Sequence, residues 1–102
     1  KLHKMFSKDE VANAQKPIVC QHPDYVVQVL TDEWGEQPIM TWNNVSVREN
    51  GELMKTTIAF GLNKKTGTWS LVEFIDEDWA CFIGNGWGLE IYADTGEKMF
   101  KF

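Results

Sequence analysis

The sequence predicts an α+β fold in two layers, with one main helix packed on an antiparallel β-meander of about five strands. Three observations carry that expectation. Two runs rich in aromatic and β-branched residues, Thr66–Ile75 and Trp79–Ile83, flank the acidic turn Asp76-Glu77-Asp78, which is the pattern of a β-hairpin. Similar runs precede and follow it, each closed by a short turn, so successive strands should pair as neighbours. Only one stretch, Pro23–Trp34, repeats its apolar residues at strong helical spacing, and a lone helix covers one face of a sheet.

Taken in order, Lys1–Lys16 is polar and basic. Ser7 followed by Glu10 makes a capping box, which suggests a short helix from Lys8 to Gln15 that Pro17 ends. Residues 1–19 read as an N-terminal arm and residues 20–102 as a single α+β domain. In the main helix, Pro23 suits the first helical position and Asp24 suits the positive end of the dipole. Tyr25, Val26, Val29, Leu30 and Trp34 share one face, and Gly35 supplies the left-handed stop. The valines are poor helix formers, so packing must hold this helix. The expected packing sets Val26, Val29 and Leu30 against Ile58, Phe60 and Leu71.

Ile39–Arg48 reads as a strand, with Asn43-Asn44 expected as a bulge. Glu49-Asn50-Gly51-Glu52 is a turn. Leu53–Leu62 is a strand with Met54, Ile58, Phe60 and Leu62 on one face and Lys55, Thr57 and Ala59 on the other. Asn63–Gly67 turns into the acidic hairpin, and Gly84-Asn85-Gly86 is expected to turn the chain again. Leu89–Ala93 and Lys98–Phe102 are the last strands, joined by Asp94-Thr95-Gly96-Glu97.

The 102 residues are 43% hydrophobic and 25% charged, which is a folded single domain rather than a disordered chain. The net charge of −5, with no basic run longer than Lys64-Lys65, argues against nucleic acid as a partner. No apolar run approaches the ~18–20 residues of a membrane span. No cofactor and no metal is expected.

A set of motifs is similar to those of small exported proteins of alphaproteobacteria that share a cysteine pair and a Gly-Thr-Trp-Thr strand. The matching residues are Cys20, Trp34-Gly35-Glu36, Gly51-Glu52-Leu53, Gly67-Thr68-Trp69-Ser70, and Ala80-Cys81-Phe82-Ile83-Gly84 with Trp87. The match runs from Cys20 to Trp87. The acidic hairpin turn departs from it, because the family pattern has Pro-Asp-Gly there. A phage-borne relative would carry the same motifs. The resemblance implies export to the periplasm and a cysteine pair. It brings no activity, so no catalytic residue follows from it.

Cys20 and Cys81 are the two cysteines, so a disulfide between them has one connectivity. It would close a loop of about 60 residues, worth roughly 4 kcal/mol in the chain-entropy model, and would imply a periplasmic or extracellular location. The competing readings are two reduced buried thiols, a metal site with His22 and His3, or a nucleophilic Cys20 beside His22. Cys20-x-His22 is a poor half of a zinc pattern, and nothing else supports the nucleophile. Asp76, Glu77 and Asp78 lack the alternation of a calcium loop and read as a solvated turn. Glu73 shares a strand face with Trp69 and Leu71. It is expected to be a partnered, half-buried acid; the alternative makes it the edge of a site, with Glu73 and Glu90 as paired hydrolytic carboxylates. Asn44-Val45-Ser46 matches a glycosylation acceptor.

Core packing is the default for each strand tryptophan. A sheet face without helix cover nevertheless makes Trp42, Trp79 and Trp87 the candidate binding surface. Trp87, between two glycines, should be the most reachable. The edge strand near Trp42 and the apolar Met99-Phe100-Lys101-Phe102 end suggest pairing into a homodimer. The function expected is therefore a small exported binding or interaction module without catalytic activity. The alternatives are a small hydrolase-like enzyme using Glu73/Glu90 or Cys20/His22, and a phage accessory or virion protein.

Overall fold

Short polar turns set the strand boundaries in the computed structural model, which describes residues 17–102. Asn50 Oδ1 accepts the Glu52 N–H at 3.0 Å, and Gly51 takes a φ of 86°. Asn63 Oδ1 accepts the Lys65 and Thr66 N–H groups, and Asp76 Oδ1 accepts those of Asp78 and Trp79. Each side chain replaces a backbone partner at a reversal, which is why Asn and Asp favour these positions. The acidic turn is therefore built by its own aspartate.

The elements are β1 (Val19–Gln21), an α-helix α1 (Pro23–Gln28) continued by a π-helical turn (Val29–Glu33), β2 (Gln37–Val47), β3 (Leu53–Leu62), β4 (Trp69–Phe74), β5 (Ala80–Gly86), β6 (Glu90–Tyr92) and β7 (Lys98–Lys101). The chain is mostly antiparallel sheet with one short helical segment. The main sheet has five strands in the order β1-β5-β4-β3-β2, and β6 pairs only with β7 in a sheet of their own. The helix expected from Lys8 to Gln15, and His3, lie outside the described residues.

The meander of β2 to β5 follows the sequence, but four details differ from expectation. First, β1 is a strand that the sequence did not suggest, so the sheet already includes Val19, the last residue of the expected arm. Second, the last two strands leave the meander; Gly88, at a φ of 77°, redirects the chain after β5. Third, Gly84-Asn85-Gly86 is not a turn but the end of β5. Its glycines make room for an indole: a Cβ at Gly86 would come within 3.1 Å of Trp69 Cζ2, and one at Gly84 within 3.5 Å of its Cζ3. Fourth, the irregularity of β2 falls between Pro38 and Met40, not at Asn43-Asn44, which pair regularly with Thr57 and Thr56. Proline has no N–H to give the ladder, which accounts for that position.

The helical segment packs on the opposite sheet face from the one expected. Val26 is fully buried with Val72 and Ala80, and Leu30, Phe74 and Phe82 pack around them. Ile58 and Phe60 pair with Glu73 and Leu71 and lie on the other face. Both faces are apolar in sequence, and a slip of one residue exchanges them. Residue size decides: on the helix side β3 presents Ala59 and Gly61, which line a narrow gap beneath Val27 and Leu30. On the far face Ile58, Phe60 and Leu62 are buried, and Trp69 stacks on Phe60 with ring centroids 6.3 Å apart.

The segment is also wider at its end than the sequence suggests. Trp34 N–H reaches Val29 O at 3.1 Å, and Gly35 closes it at a φ of 62°. His22 caps its start, with Nδ1 accepting the Asp24 N–H at 3.2 Å.

Cys20 and Cys81 form the disulfide, with α-carbons 4.0 Å apart and a sequence separation of 61. The bond lies within the sheet and not between the helical layer and the sheet. Cys20 sits in β1 directly opposite Cys81 in β5. Neighbouring strands bring opposed α-carbons to about 4.5–5.5 Å, so the sheet itself presents the two sulfurs to each other.

Candidate functional site

Where the π-turn, the β3–β4 turn and the end of β5 meet, a cavity of about 430 Å³ opens. Trp34, Trp69 and Trp87 line it. Local structure fixes each indole. Trp34 follows the π-turn, its carbonyl accepts the Asn63 side-chain N–H at 2.9 Å, and its ring packs at 5.5 Å on Phe82. Trp69 lies against the two glycines of β5. Trp87 follows β5 and is 82% exposed, the most open large apolar side chain among the described residues.

The polar part of the wall holds Glu33, Glu36, Ser70 and Asn85. Glu36 is 2% exposed and Ser70 is fully buried, yet Glu36 Oε1 and Ser70 Oγ have no hydrogen-bond partner among the described residues. Glu36 reaches this depth because Gly61 has no side chain; a Cβ there would lie 3.4 Å from Glu36 Oε1. No Lys, Arg or His lines the cavity among the described residues. The only ion pairs among the described residues lie away from the cavity and join His22 to Asp24 and Lys98 to Glu90. Buried polar atoms in folded proteins are nearly always bonded, so two orphans on one cavity mark a place that lacks a partner.

Glu73 presents the opposite arrangement on the far sheet face. Its Oε2 accepts from Thr56 Oγ1 at 2.7 Å, Ser46 Oγ at 2.8 Å and Asn44 Nδ2 at 3.1 Å. Burial pushes its carboxyl up, but the bonds from Thr56, Ser46 and Asn44 outweigh it and hold the group below its ordinary 4.5. Glu73 is the partnered acid that its strand position suggested. Asn44 Nδ2 is committed to this cluster and also lies 3.2 Å from Ser46 Oγ and Thr56 Oγ1, so a glycan there would break it.

The other residues singled out in the sequence are dispersed. Glu90 lies in the second sheet, where the Tyr92 hydroxyl and Lys98 hold it below the usual carboxylate range. It shares no hydrogen-bond partner with Glu73. Cys20 is locked to Cys81 and His22 is a helix cap, so neither provides a thiolate and base. Of the tryptophans expected to form a binding surface, Trp87 lines the cavity, whereas Trp42 lies on the edge strand β2 and Trp79 ends the acidic turn. No group of three metal-ligating side chains occurs among the described residues.

Composition and periodicity did not point to Trp34, Glu33, Glu36 or Ser70, because each reads as ordinary helix-end or strand sequence. The one signal was the motif set: Trp34-Gly35-Glu36, Thr68-Trp69-Ser70 and Trp87 are separate in sequence and all contribute to this wall. No family model, curated protein or solved structure matches the chain.

Proposed function

We propose that this protein is a non-catalytic binding module that works in an oxidising compartment and seats a small organic ligand in the tryptophan-walled cavity. The observation that carries this reading is the pairing of two indoles, Trp34 and Trp87, with two buried oxygens beside one hollow that have no partner among the described residues. Ligand sites combine apolar and aromatic walls with a few fixed polar groups, in volumes of about 300–1,000 Å³. The disulfide supports the compartment, since such bonds persist in the periplasm and outside cells. The saturation of Glu73, the capping role of His22 and the bonding of Cys20 all weigh against the hydrolase-like alternatives.

Ligand-observed NMR with a library of small polar aromatics, amines and sugars tests the reading. Binders should be found that lose at least most of their signal on Trp87→Ala, a substitution at an open position that leaves the fold intact. A library without binders, or binders indifferent to Trp87, would count against it.

A second reading is self-association. β2 is a sheet edge of 11 residues whose Ile39, Met40, Trp42, Val45 and Val47 are all exposed. A long apolar edge without protective charges invites pairing with a second copy. Sedimentation at high micromolar concentration should show dimer, and a Trp42→Lys variant should remain monomeric.

A further inference from the structure

We infer that the ligand of this cavity is an organic cation bearing N–H donors, a primary ammonium or guanidinium group; the inference rests on the binding-module reading above. Three features converge on that chemistry. The described wall carries two carboxylates, Glu33 and Glu36, and no cationic side chain. Glu36 is nearly inaccessible and its Oε1 has no donor among the described residues. A buried carboxylate needs both a counter-charge and hydrogen bonds, and only a cation supplies the first. Ser70 Oγ, also unpartnered, adds an acceptor for a second N–H.

The indoles address the other side of such a group. A cation over the face of a tryptophan is attracted by the ring quadrupole, more strongly where water is excluded. Trp34 and Trp87 offer that surface on the side of the acids. A neutral sugar would also stack on indoles and donate hydroxyl protons, but it would leave both carboxylates without a counter-charge. A quaternary ammonium would supply charge without a donor for Glu36 Oε1 or Ser70 Oγ. The net charge of −5 favours approach of a cation over an anion.

The test uses the full chain labelled with ¹⁵N and four probes: n-butylammonium, methylguanidinium, tetramethylammonium and methyl glucoside. The first two should move the indole N–H resonances of Trp34 and Trp87 saturably and leave that of Trp79 in place. Tetramethylammonium should bind several-fold more weakly, by about the loss of its hydrogen bonds. Glu36→Gln should weaken butylammonium about tenfold or more, and added salt should weaken it further. Should Glu36→Gln fail to fold, Glu33→Gln at an exposed position serves instead, with an expected loss of about threefold. Methyl glucoside binding as tightly as butylammonium, and equally in Glu36→Gln, would overturn the cation assignment and leave the binding module standing. Saturable binding of none of the four probes would overturn the cation assignment as well, and the broader library above then decides the binding module itself.

Discussion

Glu73 and Glu36 are two carboxylates of the same small domain, and their surroundings treat them in opposite ways. Glu73 takes three hydrogen bonds on one oxygen from side chains of β2 and β3. Glu36 is more deeply buried, and its Oε1 receives none. The first is a carboxylate whose needs the chain meets by itself, so it ties three strands together. The second is one whose Oε1 finds no donor among the described residues, which is the basis of the ligand proposed above. A buried acid is therefore informative through its bonds rather than its depth.

The largest test of this contrast concerns the staple beside Glu73, which sits opposite Cys81. Reduction, or the paired change of Cys20 and Cys81 to Ala, should cost about 4 kcal/mol in a urea titration. Two free thiols in the unreduced, unfolded protein would remove that end's covalent support from the account. Next, Leu30→Ala should cost about 2–5 kcal/mol, because Leu30 packs on the Val26–Val72–Ala80 core. It should also weaken ligand binding, since the π-turn that leads to Trp34 and Glu36 hangs on that contact. A loss below about half a kcal/mol would mean that the helical segment is not held by the face described.

Smaller effects separate the two acids directly. Glu73→Ala should cost about 1–2 kcal/mol, as the buried Thr56 hydroxyl loses its acceptor, and should leave the cavity unchanged. The same site sets a pH dependence. The folded carboxyl lies below its ordinary 4.5, so its contribution is complete above that pH and is lost as the pH falls through the lower folded value. Stability measured downward from pH 5 should fall less steeply in Glu73→Ala than in the parent. Glu36→Gln should change stability least, by no more than about 1 kcal/mol, because no hydrogen bond to Oε1 is lost among the described residues. A large loss there would show that Glu36 is structural, and the contrast would collapse.

Much of this was legible in the residues. Turn chemistry at Asn50-Gly51, Asn63 and Asp76 placed β2 to β5, because an Asx side chain dictates a reversal locally. The partnering of Glu73 followed from its strand face. The side taken by the helix was not legible, since both rows of the sheet are apolar and only the small Ala59 and Gly61 distinguish them. Nor was β1, three residues long, which has no period to read. The cavity was hidden for a further reason: Trp34, Ser70 and Trp87 come together only through tertiary structure. The glycines that seem to mark a turn at Gly84 and Gly86 instead make a bed for Trp69.

The disulfide within the sheet has a mechanical consequence. A pulling force applied near Cys20 passes straight into β5 through a covalent bond and bypasses the three-residue ladder of β1. Everything between the two cysteines, from the helical segment to the acidic turn, lies in a closed loop with a sequence separation of 61. Under tension the oxidised protein can lengthen only by the segments outside that loop. Its reduced form holds about 200 Å more extensible chain. A single-molecule extension trace would thus read the redox state as a step in contour length, with α1 and β2 to β4 shielded from the load as long as the bond is intact.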